Sequence, residues 1–157
     1  MDKKAFVKAE MEGRLRLIYA LQMEEPDSTV VSMPLSCHHD LQWEHTSGKI
    51  DYIELKDRNV PVWLYGDAMF NCEKMEYNKH FGSDFYFVST YTDGNAVWFK
   101  PYEMAKSGIT TGEKWITTTT VDPTSPKVKQ KRLFLNFSDL DKVTKVPYIN
   151  ITEDEDE

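Results

Sequence analysis

Three ionisable residues on the two sides of one predicted turn could carry out hydrolytic chemistry. Asp40 precedes the turn, and Glu54 and Lys56 follow it. Two carboxylates held side by side on neighbouring strands repel each other, and a divalent cation relieves that repulsion. Mg²⁺ prefers carboxylate and water oxygens, while an adjacent ammonium can orient a water molecule and stabilise charge on a phosphate. These residue types therefore indicate metal-dependent hydrolysis of a phosphodiester.

The turn itself decides whether the three groups can meet. A three-residue loop at 46–48, with Gly48 in the left-handed region, is one of the common hairpin loops. This loop pairs His45 with Lys49, and counting back along both strands places Asp40 opposite Glu54. The sequence therefore predicts that the two carboxylates lie side by side.

A two-residue Ser47-Gly48 turn is the alternative. It would pair Asp40 with Leu55, whose side chain lies on the other face of the sheet, because a one-residue shift reverses every side chain. Glu54 and Lys56 share a face in either case, since side chains alternate along a strand. We favour the three-residue loop because it brings all three groups together.

Periodicity predicts the elements that carry the hairpin. Apolar residues such as Leu17 and Leu21 recur at helical spacing, with Asp2 as the helix N-cap and Pro26 beyond its end. Gly82 suits the end of a second helix. In chain order we expect a helix at 3–23, a strand at 29–33, the hairpin at 40–56, a helix at 68–81, and strands at 85–91, 96–99, 115–121 and 132–137. This order favours an α/β protein with a mixed sheet flanked by helices.

Composition limits the class of protein. The chain has 157 residues and a net charge of −7, of which the tail at 153–157 carries five negative charges, so −2 remains for the rest. We expect one domain over 1–152. A basic run at 127–132 supplies a local cationic surface. The sequence contains no run of about 18 apolar residues, so we expect no membrane span. Two cysteines with no signal sequence favour a cytoplasmic location.

Asp40 together with Glu54-Leu55-Lys56 resembles the motif of the PD-(D/E)xK nuclease superfamily, which includes Holliday junction resolvases, restriction enzymes and small phage proteins. The resemblance covers about 3–102. It implies a restriction endonuclease-like αβββαβ core, here followed by a β-rich extension at 103–152. His39 occupies the position of the motif's proline.

The resemblance also implies roles for single residues. Asp40 and Glu54 would bind Mg²⁺ or Mn²⁺, helped by the Leu55 carbonyl, and Lys56 would be the catalytic lysine. The family often adds an acidic residue from the first helix. Glu10 is favoured for this role because it lies on the Leu17 side of that helix.

Other residues are assigned less directly. Glu12 is the alternative to Glu10, although it lies with Arg16 on a more solvated side. Lys74 from the second helix and Arg58 beyond the motif are candidate nucleic-acid contacts. Arg58 could equally pair with a neighbouring aspartate.

The leading hypothesis is a metal-dependent nuclease that hydrolyses phosphodiester bonds in nucleic acid, with DNA the expected substrate and a homodimer considered from the family. One alternative is a catalytically silent nuclease-like module that binds nucleic acid or protein. Another is an interaction protein that uses its acidic tail and basic run. A zinc site at Cys37, His38 and His39 is less favoured, because structural zinc usually has four ligands in paired spacings.

Overall fold

A 22-residue helix, α1 (Lys3–Glu24), begins the chain. The computed structural model describes residues 2–109, 112–118, 128–139 and 149–150. The Asp2 side chain caps α1 by accepting the Ala5 backbone N–H at 2.7 Å. Leu17 and Leu21 are fully buried on one side of the helix. The predicted first helix is therefore confirmed, and it ends one residue later than expected.

Most strands belong to one mixed sheet. The described strands are β1 (Thr29–Ser32), β2 (Leu41–Glu44), β3 (Ile50–Asp57), β4 (Asp67–Asn71), β5 (Phe85–Thr90), β6 (Asn95–Phe99), β7 (Gly112–Thr118), β8 (Val128–Asn136) and β9 (Ile149–Asn150). The larger sheet has the order β1-β2-β3-β5-β6-β9. Its β3–β5 pair is parallel and its other pairs are antiparallel. The expected mixed α/β architecture is confirmed.

The helix predicted at 68–81 is wrong in its first part. Residues Asp67–Asn71 form β4, and the helix that follows, α2 (Cys72–Tyr77), is one and a half turns long. Ala68 and Phe70 are buried, whereas the residues between and around them are only partly buried. Burial at every second residue is the pattern of a strand. The Asn71 side chain then caps α2 by accepting the Glu73 N–H at 3.0 Å. Gly82, expected at the helix end, has a φ of 56° and interrupts the 3₁₀ segment Lys79–Asp84 at a kink.

β4 anchors the second sheet. Its order is β4-β8-β7, and both pairs are antiparallel. The C-terminal extension therefore joins the predicted core through β4. Residue 127 of the basic run, the end of the strand expected at 115–121, and the acidic tail at 153–157 lie outside the described residues.

The two faces of the larger sheet carry separate hydrophobic clusters, because alternate residues of β5 and β6 point in opposite directions. On one face, Leu17 and Leu21 of α1 pack with Ile53. On the other face, Phe87 and Leu133 are members of a cluster that includes the second sheet and α3 (Pro101–Lys106). The molecule thus has three layers, with the predicted hairpin in the middle one. Among the described residues, no helix has both the length and the apolarity needed to cross a bilayer.

Candidate active site

The hairpin has the predicted three-residue loop. The His45 N–H donates to the Lys49 carbonyl at 2.8 Å, and Gly48 has a φ of 90°, in the left-handed region. Leu41 pairs with Ile53, so the same register brings Asp40 level with Glu54. At Asp40 itself the ladder is irregular, because its N–H donates to the Ile53 carbonyl at 2.8 Å. Asp40 therefore lies at the point where β2 begins, beside the exposed end of β3.

Asp40 is almost completely buried, at 5% exposure, and both of its carboxylate oxygens are engaged. Oδ1 lies 2.8 Å from Nη2 of Arg14, and Oδ2 accepts the Leu55 backbone N–H at 2.7 Å. The first contact fixes Asp40 to α1 and the second fixes it to β3. Leu55 thus enters the site through its N–H, in addition to the carbonyl that was expected to serve as a ligand.

Arg14 is one of the site residues that the sequence analysis missed. It is 2% exposed, and its Nη1 donates to the Met33 carbonyl at 2.5 Å and to Ser32 Oγ at 3.2 Å. A charged residue three positions before Leu17 falls on the buried stripe of α1, where a charge needs a buried partner. That position was the available signal for an ion pair between α1 and the start of β2.

Glu54 is held in an unusual environment. Burial, followed by the nearby charge of Asp40, raises the pKa of Glu54 well above its ordinary value, although Lys74 and Arg14 act in the opposite direction. Its Oε2 is buried and has no hydrogen-bond partner. An acid in this position carries a lone pair that the protein itself leaves unused.

Glu10 belongs to the same cluster. Burial and the charge of Asp40 raise the pKa of Glu10, whereas Arg14, Lys56 and Lys74 lower it. Its Oε1 lies 3.8 Å from Nη2 of Arg14.

Glu12, the alternative to Glu10, is exposed and lies 4.0 Å from Lys8 on the outward side of α1. The geometry therefore groups Glu10 rather than Glu12 with the hairpin acids.

Lys56 follows Glu54 on the same face of β3 and is solvent-accessible. Loss of hydration among neighbouring protein atoms lowers the pKa of its ammonium, and the positive charges of Arg58 and Arg132 lower it further. Glu10 and Glu54 act in the opposite direction. Lys56 therefore releases its proton more easily than an ordinary surface lysine does.

The buried side chain of Asn78 holds Lys74 of α2 close to Glu10 and Glu54. Asn78 donates from Nδ2 to the His38 carbonyl at 2.7 Å and to the Lys74 carbonyl at 2.6 Å. It thereby ties the end of α2 to the loop that leads into Asp40. The sequence analysis did not single out Asn78, and its only local signal is its place after the helix.

Arg58 has a more structural environment than was expected of a nucleic-acid contact. Its Nη2 donates to the Met69 carbonyl, its Nε lies 3.4 Å from Ser89 Oγ, and its guanidinium lies 5.8 Å from the centre of the Phe70 ring. These contacts join the end of β3 to β4. The alternative role for Arg58 was a salt bridge to a neighbouring aspartate. None of the salt bridges among the described residues joins Arg58 to an aspartate.

Arg132 of β8 is a third residue that sequence reasoning did not place here. It lies opposite Asn71 of β4 and is half-buried. Its Nη2 donates to Gln130 Oε1 at 2.6 Å, while its Nε is buried without a partner. Its influence on Lys56 shows that the second sheet reaches the site. The pairing of β4 with β8 produces this arrangement, and no local pattern reveals it.

The cysteine–histidine cluster is packed as ordinary structure. His39 is buried, with Nε2 3.0 Å from Gln42 Oε1 and Nδ1 3.4 Å from Cys37 Sγ. Burial lowers the pKa of His39. His38 stacks on Tyr77 with ring centres 3.9 Å apart. The rings thus support the loop that precedes Asp40.

Asp40 and Glu54 provide some of the oxygen donors that a divalent cation needs. Within the described segments, no three His, Cys, Asp or Glu side chains already stand in a metal-binding arrangement. Asp40 and Glu54 nevertheless offer oxygen donors, since a carboxylate has about four lone-pair sites and Asp40 uses two. The unpartnered Oε2 of Glu54 is the most available donor.

Comparisons with known proteins leave the site to be judged on its geometry. No family model matches this chain, and no significant match to a curated protein is found.

Proposed function

We propose that this protein is a metal-dependent nuclease of the PD-(D/E)xK type, which hydrolyses phosphodiester bonds in nucleic acid, with DNA as the expected substrate. The observation that carries the proposal is the buried, unpartnered Oε2 of Glu54 beside Asp40 and Glu10, with Lys56 on the same strand face. Acids gathered against their own repulsion are a common mark of functional sites. A divalent cation would satisfy the free oxygen and offset that repulsion.

The order of elements supports the same assignment. α1 is followed by the antiparallel strands β1, β2 and β3, then by α2 and by β5, which pairs in parallel with β3. This is the αβββαβ order of the proposed restriction endonuclease-like core, with β4 inserted before α2. The candidate residues lie on α1, at the start of β2, on β3 and on α2, which are elements of that core.

In the proposed reaction, Asp40, Glu54 and the Leu55 carbonyl would hold Mg²⁺ or Mn²⁺. When bound, the cation supplies Lewis acidity toward the phosphodiester. Lys56 donates hydrogen bonds to a non-bridging phosphate oxygen and to the attacking water, and its lowered pKa makes it a better proton donor than an ordinary lysine. Arg14 fixes the Asp40 carboxylate between α1 and β3.

The test is a cleavage assay on single-stranded DNA, double-stranded DNA and RNA, with Mg²⁺, Mn²⁺ or EDTA. We expect metal-dependent cleavage that falls about 100-fold or more in Lys56→Met and in Glu54→Gln. Glu12→Gln is the matched control, because Glu12 lies on the same helix as Glu10 but outside the cluster. Equal cleavage by all four proteins would remove the catalytic assignment.

One observation favours a second function, the catalytically silent binding module. Both oxygens of Asp40 already accept hydrogen bonds, from Arg14 and from the Leu55 N–H. A guanidinium placed there could replace a metal and leave a site that only binds. Calorimetry with Mn²⁺ separates the two functions: heat that disappears in Asp40→Asn supports the nuclease. Nucleic-acid binding with neither heat nor cleavage supports the module.

A further inference from the structure

We propose that the groove between α2 and the β7–β8 pair binds single-stranded DNA, with one base stacked on the ring of Trp115. This binding mode rests on the proposed function for the class of its ligand, and it adds the type of strand and a base preference.

The groove is large enough for a base and its sugar. Its volume is about 740 Å³, within the range of ligand pockets. Cys72, Met75 and Tyr102 supply apolar surface on one side, and Trp115 supplies it on the other. The Tyr102 hydroxyl donates a hydrogen bond to the Met75 carbonyl, which holds α3 against α2. Three separate parts of the fold therefore shape this groove.

Trp115 is 61% exposed, although it lies on the face of the second sheet that packs on the core. It pairs with Lys131 of β8, and Leu133 and Leu135 further along the same face of β8 are buried. Trp115 thus continues the core face beyond the edge of the core. An exposed indole ring is a surface on which a base stacks, whatever its identity. Because the bases of a duplex are already stacked on each other, a single strand is the form that can use it.

The two rims of the groove carry opposite charges. Lys129 and Lys131 lie on the β8 rim, and Lys129 Nζ is 5.8 Å from the centre of the Trp115 ring. Glu73 and Glu76 lie on the α2 rim. A phosphate backbone is attracted to the lysines and repelled by the carboxylates. The backbone therefore runs along β8, and the bases point toward α2.

Two ion pairs at the rims can open for the ligand. Lys131 Nζ lies 2.8 Å from Glu113 Oε2, and Lys79 Nζ lies 2.8 Å from Glu76 Oε1. All four side chains are at least 45% exposed, so each pair contributes little to stability. Lys131 can therefore turn to a phosphate and Glu76 to a base at small cost.

The carboxylates on the α2 rim give the groove a base preference. A carboxylate accepts hydrogen bonds and donates none. Cytosine and adenine present an exocyclic amino group, whereas thymine presents a carbonyl oxygen at the corresponding position. Glu73 and Glu76 should therefore favour cytosine and adenine over thymine.

The groove adjoins the candidate active site. Lys74 follows the groove residue Cys72 on α2, and its charge acts on Glu54. Arg132 follows Lys131 on β8, and its charge acts on Lys56. The elements that form the groove thus also border the site, and a strand held in the groove can extend to it.

The experiment measures binding by fluorescence anisotropy in EDTA, which prevents metal-dependent cleavage, with labelled oligonucleotides of about 12 nucleotides. Wild type should bind a single strand more tightly than the corresponding duplex. Trp115→Ala should raise the Kd for the single strand at least about tenfold, and Trp115→Tyr should retain most of the affinity. Trp63→Ala is the matched control, since Trp63 is an exposed aromatic residue outside the groove. Circular dichroism verifies that each variant folds.

Two further variants test the rims. Lys129→Gln should reduce the slope of log K against log salt by about 0.7, the value for one phosphate of a single strand. Lys106→Gln removes an exposed lysine outside the groove and should leave that slope unchanged. Wild type should bind oligo-dC more tightly than oligo-dT. Replacing both Glu73 and Glu76 by Gln should bring the two affinities together, because an amide both donates and accepts hydrogen bonds.

Several results would overturn the proposal: a folded Trp115→Ala variant that binds as wild type does, equal affinities of wild type for oligo-dC and oligo-dT, or tighter binding of RNA than of DNA. The result is separable from catalysis. If Lys56→Met abolished cleavage while Trp115→Ala left binding unchanged, the nuclease would stand without the groove. If the protein cleaved nothing while Trp115→Ala weakened binding, the groove would stand without the nuclease.

Discussion

Arg14 Nη2 lies 2.8 Å from Asp40 Oδ1, and this ion pair is almost entirely excluded from water. The pair connects the middle of α1 to the start of β2. The candidate active site is therefore built around an internal charge pair.

Arg14→Met should destabilise the fold by about 3–5 kcal/mol, because it leaves the Asp40 carboxylate buried without its partner. Urea unfolding followed by circular dichroism measures this loss. Arg16→Met is the matched control. Arg16 lies two residues after Arg14 on α1 and also pairs with an aspartate, Asp57, at 2.5 Å, but both side chains are partly exposed. Its removal should cost at most about 1 kcal/mol. Equal losses in the two variants would contradict the importance given to the buried pair.

Glu54→Gln should stabilise the metal-free protein at neutral pH while abolishing cleavage. The folded-state pKa of Glu54 is raised, so the stabilisation tied to its protonated form is fully present below the unfolded pKa. That stabilisation is lost as pH rises through the folded pKa, and each tenfold difference in proton affinity between the folded and unfolded states corresponds to about 1.4 kcal/mol. The gain of the variant over wild type should therefore appear as pH rises above the unfolded pKa and should be absent near pH 4. Urea midpoints across the pH range measure the difference, and a variant that is less stable at pH 7 would contradict the prediction.

The hairpin and the long helix could be predicted from sequence because their signals are local. Gly48 selects the loop, the loop fixes the register, and the spacing of Leu17 and Leu21 defines the buried face of α1. Asp40, Glu54 and Lys56 could be brought to one place on that basis alone.

The second sheet could not be predicted, since its strands meet only through distant pairing. Met69, Cys72 and Met75 recur at near-helical spacing, which suggested a helix across β4. Pairing with β8, about 60 residues later, overrides that local pattern. Arg132 reaches the site by the same long-range contact, so its position depends on tertiary structure. Arg14 is different, because a charge on an apolar helix stripe does indicate a buried partner, though not which one.

Gly13→Ala should destabilise the protein despite the better helix propensity of alanine. A Cβ at Gly13 would lie 3.0 Å from Asp57 Oδ2 and 3.2 Å from Asp57 Cβ. Asp57 cannot move freely, because Arg16 and the Thr90 hydroxyl hold its two oxygens. We expect a net loss of about 1 kcal/mol, after a propensity gain of similar size. In an Asp57→Ala background the same change should become stabilising. A double-mutant cycle without coupling would contradict this close approach of α1 to β3.

His45 should make stability depend on pH near neutrality. Burial alone would lower the pKa of His45, but hydrogen bonds to Glu25 at 2.6 Å and to Asp51 at 2.7 Å raise it above its ordinary value. The stabilisation from these bonds is fully present below the unfolded pKa of about 6.5 and is lost as pH rises through the folded pKa. An NMR titration should find the His45 pKa above its ordinary value, and Glu25→Gln should lower it. A His45 pKa that does not respond to this substitution would contradict the bridge.

Arg132→Gln should weaken nucleic-acid binding and shift the pH dependence of cleavage. Arg132 carries a positive charge near enough to act on Lys56, so its removal should reduce the slope of log K against log salt by about one. Arg132 also lowers the pKa of Lys56, and its loss should therefore move the Lys56-dependent limb of the pH–rate profile to higher pH. Lys106→Gln removes an exposed cation from α3 and should change neither quantity. If Arg132→Gln reduced stability but left both the salt slope and the pH profile in place, its role would be to hold β8, and the second sheet would support the site without contacting substrate.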